Sequence, residues 1–448
     1  MISVSRVFRP IRIFLTQCFL IFTLFPGVYA SGSSEQQRLR PDALISLSSD
    51  DGPGYAILVE KDTQSVLVYE YKDTFRLKHR FACSTGKVSG NKRESGDRKT
   101  PEGVYFFSKV YQKRELQPIY GNGAFVLDYP NLLDRKFDRA GNNIWLHGSN
   151  KPIKPRDSNG CVVMGNGDLE ALVPYILLNR TPIILKQKLH MVRPESQRTD
   201  QKSLTEFLET WETAFVTGDR TKYSACYSEP SGDLDTLWGV WDQMRTTWQD
   251  AQIPFGMTLG NVTFLRGNPC VVALFDQVMH LDRHVSTVGT KKLFLEKDGN
   301  IWKIVGEVYQ PAESNPSVSR PLVTALADLD RLHRDYEAIA DLVAGWAEAW
   351  SSKDIIRYRA CYAEDFRVRA MDIGAWIRYK ESLNDRYAFI RVSTEDLKIR
   401  QGAERSTATF LQRYHSSGYQ AVGIKHLHLK RIGGAWKIYR ETWHRIQK

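Results

Sequence analysis

A duplication limits what this chain can fold into more than any other feature. The seventeen residues WETAFVTGDRTKYSACY, from Trp211, align without a gap to WAEAWSSKDIIRYRACY, from Trp346. The two share the leading tryptophan, Ala214 with Ala349, Asp219 with Asp354, Tyr223 with Tyr358, and the whole Ala-Cys-Tyr run. The far ends agree as well: GNIWKIVGE around Trp302 matches GGAWKIYRE around Trp436, at an offset of 134 residues against 135 for the first match. Two copies of a unit of about 110 residues, the size of a small domain, therefore fill the C-terminal part of the chain. Each opens with an amphipathic helix, continues with a shorter one carrying Tyr-x-Ala-Cys-Tyr, and goes on in long alternating strands that end on Trp-Lys-Ile. Helices packed on a curved sheet are the expected result.

Ahead of the copies the text changes. From Tyr55 it runs YAILVEK, SVLVYEY, RLKHRFACST, GVYFFSKVY, GAFVLDYP and NIWLHG. These are short segments rich in β-branched and aromatic residues, punctuated by glycine, proline and asparagine, which predicts a β-rich domain. It closes with a short helix, GDLEALVPYILL, and a last strand, TPIILKQKL. The fold class expected is α+β multidomain. The predicted organisation is a signal peptide over 1–30, an N-terminal linker over 31–52, the β-rich domain over 53–187, and a polar linker over 188–200. The first repeat then covers 201–311, a linker 312–332, and the second repeat 333–448.

Arg6, Arg9 and Arg12 precede an uncharged apolar run, Ile13 to Phe25, and small residues follow around Ala30. That is the order of a secretory signal peptide, and the run is short of the roughly 20 residues that span a bilayer. No later segment is long and apolar enough to span a membrane, so a mature protein cut after Ala30 is expected in the periplasm or cell envelope. The formal charge of +11 falls to near +8 without the leader. The positive residues are scattered and not interleaved with aromatics, which argues against nucleic acid as partner and leaves a solvated basic face without a partner or one that meets an acidic wall polymer or anionic surface. Six cysteines include Cys18 in the leader; Cys83, Cys161, Cys226, Cys270 and Cys361 remain. Five is odd and the spacing is wide, so at least one thiol stays unpaired.

One of the five has a partner for chemistry. In NNIWLHGSNKPIKPRDSNGCVVMGNGD, residues 142 to 168, His147 and Cys161 each sit against a glycine. An imidazole that takes the thiol proton makes a thiolate nucleophile at neutral pH. The loop between them is long enough to double back, Gly148 and Gly160 allow close backbone approach, and the amides of Gly160 and Cys161 are candidate oxyanion donors. By spacing alone a lone His and Cys in one β-rich domain are more often a core pair than a catalytic pair. The surrounding text is more specific. STGK at 84–87, TPEGVYFF from Thr100, DYPN at 128–131, WLHG and SNGCVVM occur in the order of the L,D-transpeptidase (YkuD-like) family, and the resemblance spans most of 53–187. It implies acyl transfer on peptidoglycan stem peptides with no cofactor or metal, Cys161 as nucleophile, His147 as its base, and Gly148 as the carbonyl that orients the imidazole. Ser158, Asn159, Gly160 and Arg156 fall to oxyanion or substrate-positioning duty, with Lys154 beside them as a second cation for a substrate carboxylate.

The family's usual Ser-His-Gly-Cys, often followed by an Arg, reads here Ser158, Asn159, Gly160, Cys161, then Val162 and Val163. In this the chain is more similar to the cell-shape (Csd6/YafK-like) branch, whose members are associated with hydrolysis as well as transfer. The repeats, with their terminal Trp-Lys-Ile strand, resemble the NTF2-like (SnoaL-like) family, whose cone-shaped fold serves binding or dimerisation. The expected function is an exported L,D-transpeptidase. The alternatives are an L,D-carboxypeptidase using the same acyl-enzyme and an inactive wall-binding scaffold. The repeats are expected to hold a protein partner or to self-associate. Cys226 and Cys361 occupy equivalent places and read as core. His280 and His284, in a strand pair, and His426 and His428, on one strand face, lack the ligands of a metal site.

Overall fold

The computed structural model describes residues 39–48, 52–229, 234–310 and 320–446. The expected leader lies outside them, as do residues 31–38 of the expected N-terminal linker and 311–319 between the repeats.

The β-rich domain begins with β1 (Arg40–Pro41) and β2 (Leu44–Ser46), then β3 (Gly54–Glu60), β4 (Ser65–Tyr71), β5 (Phe75–Ala82), β6 (Gly103–Gln112) and β7 (Gly123–Leu127). After α1 (Leu132–Lys136) come β8 (Trp145–His147), β9 (Val162–Val163), α2 (Asn166–Leu172) and β10 (Pro182–Lys186). Eight strands form one sheet in the order β5-β4-β3-β10-β6-β7-β8-β9. The runs of β3 and β4 are apolar at consecutive positions because both faces are covered. Ile57, Val59, Val66 and Val68 point into the domain's own core, while Ala56, Leu58, Leu67 and Tyr69 enter a second core together with Leu265, Val272, Leu274 and Phe294 of the first repeat.

The first repeat follows β11 (Met191–Val192): α3 (Arg198–Thr217), α4 (Arg220–Ala225), α5 (Leu234–Asp250), β12 (Phe255–Arg266), β13 (Val271–Leu281), β14 (His284–Asp298) and β15 (Ile301–Tyr309). The second has α6 (Pro321–Ser351), α7 (Ile355–Ala360), β16 (Tyr362–Val368), β17 (Met371–Asp372), α8 (Ile373–Arg386), β18 (Ile390–Arg400), β19 (Arg405–Ser416), β20 (Tyr419–Ile432) and β21 (Ala435–Arg445). The residues shared by the copies have local causes. Asp219 and Asp354 cap α4 and α7, accepting from Lys222 N at 2.9 Å and Arg357 N at 3.0 Å. Trp211 Nε1 donates to the Tyr227 hydroxyl at 3.2 Å, and Trp346 Nε1 to that of Tyr362 at 2.8 Å.

Three expectations need correction. The sequence predicts two helices followed by strands in each repeat, but each inserts a third helix, α5 or α8. The expected linkers also carry structure. Residues 198–200 already belong to α3 and 321–332 to α6, because their polar residues are the solvent side of amphipathic helices. The first half of α6 packs Leu322, Leu326 and Leu329 into the first repeat's core, and its second half sends Ile339, Val343 and Trp346 into the second's. Within the expected N-terminal linker, β2 joins the first repeat's sheet as an edge strand on β12, pairing Phe264 with Ser46 and Leu265 with Leu44.

Candidate active site

β8 and β9 lie side by side and parallel, with Leu146 opposite Val162 and His147 opposite Val163. Leu146 and Val162 are fully buried in the core. Side chains alternate along a strand, so Trp145, His147 and Val163 project from the other face. Cys161, one residue ahead of β9, falls level with Trp145 by the same register, and a fourteen-residue separation in sequence thus becomes two paired segments, one ending on His147 and the other preceded by Cys161.

The His147 ring is buried, and its Nδ1 lies 2.7 Å from Gly148 O. A carbonyl only accepts, so Nδ1 carries the proton and Nε2 is left with its lone pair. The Tyr120 ring stands nearly perpendicular to the imidazole, at 80° and 5.0 Å between centroids, and Trp145 packs on Tyr120 in turn. Burial pushes the His147 pKa down, the Gly148 hydrogen bond opposing it, so at neutral pH the ring is neutral and able to take a proton.

Cys161 is half-buried, whereas Cys83, Cys226, Cys270 and Cys361 are buried, and all five are free thiols. Burial raises the Cys161 pKa, while the Trp145 backbone and the charge of Lys92 pull it down. The Cys83 thiol is driven by burial to about 12, and burial raises Cys226, Cys270 and Cys361 too. The Cys161 thiol itself points to Asn143 O at 3.5 Å.

The loop before Cys161 is held by the STGK segment. Ser84 and Val163 exchange backbone hydrogen bonds at 2.8 and 2.9 Å, Ser158 N donates to Thr85 O at 3.0 Å, and Lys87 N to Ser158 O at 2.9 Å. Gly160 has φ +134°, which a residue with a Cβ adopts only under strain, and a Cβ there would lie 3.0 Å from Lys99 O. Asn166 fixes the turn after His147, donating from Nδ2 to Asn150 Oδ1 at 2.9 Å and accepting from Asn122 N at 3.0 Å.

Several residues expected to meet substrate are otherwise engaged. The Gly160 amide donates to Ser158 Oγ at 3.1 Å, so it is no free oxyanion donor. The Ser158 hydroxyl donates to Cys161 O at 2.6 Å and closes the loop instead of facing outward. The Cys161 N–H makes no hydrogen bond among the described residues. Arg156, at φ +50°, donates its N–H to Gln64 Oε1 at 2.8 Å, and its guanidinium lies 3.5 Å from Asp62. Both side chains of that pair are partly exposed, and such a pair is held weakly enough to exchange partners. Asn159 and Lys154 are exposed. Sequence reasoning missed Tyr120, Asn166 and Lys92, which lie in stretches without a motif. Trp145 was visible in WLHG but was assigned nothing.

Among the described residues no group of three or more His, Cys, Asp or Glu could hold a metal ion, and no helix is long and apolar enough to cross a membrane. Residues 54–185 match the YkuD family, the L,D-transpeptidase catalytic domain, and residues 338–442 match the Cds6 C-terminal NTF2-like domain. No curated protein matches the chain. Solved structures similar to it include Bd1075 of Bdellovibrio bacteriovorus, 20% identical over 92% of this chain and 99% of that one, with a TM-score of 0.34. The helical cell shape determining protein Pgp2 from Campylobacter jejuni is 19% identical over 90% and 96%, at 0.29. An NTF2-like protein of unknown function from Pseudomonas putida KT2440 is 20% identical over 23% and 82%, at 0.22. Superpositions this loose do not carry residue roles across.

Proposed function

We propose, from the premise that this chain carries an L,D-transpeptidase catalytic domain of the YkuD family followed by a Cds6-type NTF2-like domain, that it is an exported enzyme that remodels peptidoglycan through a thioester on Cys161. The boundaries that go with this reading are a catalytic unit over 53–187 and NTF2-like units over 201–311 and 333–448. His147 Nε2 takes the thiol proton; the thiolate attacks the carbonyl of the third stem residue; the C–N bond to the terminal D-alanine breaks, and His147 returns the proton to the leaving amine. The Cys161 N–H is the donor left for the oxyanion. An amine from a second stem then gives a 3-3 crosslink, and water gives a tripeptide. Transfer is the first reading and hydrolysis the second, since one acyl-enzyme serves both. The repeats hold the catalytic domain on the wall or on a partner.

The observation that supports the proposal is the His147 Nδ1 bond to Gly148 O, which leaves Nε2 as a base at the end of β8, the strand paired with the β9 that Cys161 immediately precedes. Tetrapeptide muropeptides incubated with the mature protein and with Cys161→Ala, then read by mass spectrometry, test it. Loss of one D-alanine or a 3-3 dimer with wild type alone is expected. Turnover that survives in Cys161→Ala sinks the mechanism, and no change with either protein favours a scaffold.

A further inference from the structure

The chain between β5 and β6 ties itself around a buried lysine. Lys92 is 3% exposed, and its ammonium donates to Asp97 Oδ1 at 2.7 Å and to Glu94 O at 2.9 Å. Asp97 also accepts the N–H groups of Arg93 at 2.8 Å, Glu94 at 3.3 Å and Lys99 at 3.1 Å. Burial would raise its carboxyl, but Lys92 and these amides bring it down to about 2, so it stays charged throughout the working range.

This tied loop braces both sides of the Cys161 thiol. Arg93 O accepts from Ala140 N at 2.8 Å, and at Gly141, φ +112°, a Cβ would lie 2.8 Å from Lys92 Cε. The turn so held leads to Asn143, whose carbonyl meets the thiol. On the other side, Thr100 Oγ1 donates to Gly160 O at 2.8 Å. Burying an ammonium is costly, and a loop that needed only shape could fill the place with an apolar side chain.

The charged groups around the thiol are few. Among the described residues Lys92 acts on it from the loop before β6, with Asp97 bound to the ammonium, and the neutral His147 stands at the end of the adjacent β8. Of the neighbouring segments, Arg139 is paired with Asp134, Arg156 with Asp62, and Lys87 with Asp157. Asp97 shares its charge with three backbone N–H groups, which limits how far it cancels the pull of the ammonium. We infer that Lys92 is a positioning residue for Cys161, its charge favouring the thiolate and its contacts fixing the turn at 140–143. This rests on Cys161 being the nucleophile proposed above.

The test is the pH dependence of Cys161 alkylation by iodoacetamide, followed by peptide mass spectrometry, in the full chain, with thermal melts to report folding. Lys92→Met should raise the apparent thiol pKa by about one unit, or about tenfold slower alkylation at neutral pH, and Lys92→Arg should restore most of it. Asp97→Asn removes the counter-charge and keeps the ammonium, so it should move the thiol pKa down with the melt unchanged, whereas loop damage that exposed the thiol would lower the melt as well. An unchanged profile in folded Lys92→Met overturns the inference, as does a raised thiol pKa in Asp97→Asn. Should Lys92→Met fail to fold, Asp97→Asn alone decides. The expected shifts in a protein that leaves muropeptides untouched would uphold Lys92's role while overturning the acyl-transfer reading.

Discussion

The two repeats bury the same polar residues and surround them differently. Lys291 pairs with Glu307 in the first as Lys425 does with Glu441 in the second, and in each the carboxylate accepts from a tyrosine, Tyr227 or Tyr362, at 2.9 Å. Around this network the first repeat is packed with aromatic rings. Phe215 stacks on Trp241 at 4.5 Å, and Gln277 is satisfied on both sides, by the Tyr309 hydroxyl at 2.7 Å and by Met257 Sδ at 2.8 Å. The second repeat holds an open cavity of about 960 Å³ lined in part by Trp350, Trp376, Lys380, Gln412 and Tyr414. There Gln412 Oε1, Tyr414 OH and the indole nitrogens of Trp350 and Trp376 find no partner among the described residues. Lys380 is 3% exposed, its ammonium 3.3 Å from the Trp350 ring centroid, and no carboxylate pairs with it among the described residues. The shared network specifies the cone; what fills the cone is set elsewhere, by helices α5 and α8 and by the residues facing them. The first repeat, filled and fused through its outer sheet face to the catalytic domain, is built as a structural element, and the second keeps unmet polarity inside.

The largest effects should fall where the fillings differ. Trp241→Ala removes a fully buried side chain from a packed core and should cost about 3–5 kcal/mol in denaturant unfolding, with Trp376→Ala, at the wall of an existing cavity, costing less. Equal losses would mean the second repeat is as tightly packed as the first. Glu441→Gln should cost about 3–5 kcal/mol because it strands a buried Lys425, and Glu307→Gln less, since Glu307 is 33% exposed. Burial alone would raise the Glu441 pKa, but Lys425, Lys380 and Tyr362 hold it down overall. Its contribution is therefore present above the ordinary carboxylate range and lost as pH falls through the depressed folded value, a slope that Glu441→Gln should remove from an acid titration.

Lys380→Met should change stability in the opposite direction, a gain of about 2 kcal/mol at neutral pH, since an ammonium without a carboxylate partner leaves a buried position. Burial sets the folded pKa of Lys380 well below the ordinary lysine value. Between that folded value and the ordinary one the unfolded chain binds more protons, so wild-type stability should rise with pH across the window. Lys380→Met should lack that rise. The same rise in both proteins would mean that the ammonium is solvated through the cavity mouth.

How much of this could be read in advance depended on whether a residue's reason is local. Asp219 and Asp354 were legible because a helix cap acts over three residues, and the Ala-Cys-Tyr run because its tyrosine recurs one turn after another. Helix α8 was not, since the inward positions of its second and third turns are Trp376 and Lys380, and a lysine in a core position breaks the apolar period. Strand β2 was missed because Leu44 pairs with Leu265, some 220 residues on. At the site, His147 and Cys161 stood out as types beside glycines. That Gly160's amide is taken by Ser158 Oγ depends on the backbone course of one short loop, and that Lys92 packs against Gly141 depends on how loops far apart in sequence close on one another.

If the network and not the filling specifies the cone, its loss should cost both repeats alike, whatever surrounds it. Tyr227 accepts from Trp211 Nε1 and donates to Glu307; Tyr362 does the same with Trp346 and Glu441. Tyr227→Phe and Tyr362→Phe each leave a buried indole N–H without its acceptor, a loss of about 1–2 kcal/mol in either copy. Denaturant midpoints of the two variants should agree within error. A much smaller loss for Tyr362→Phe would mean that water from the cavity replaces the hydroxyl, and the hollow repeat would then be wet where the filled one is dry.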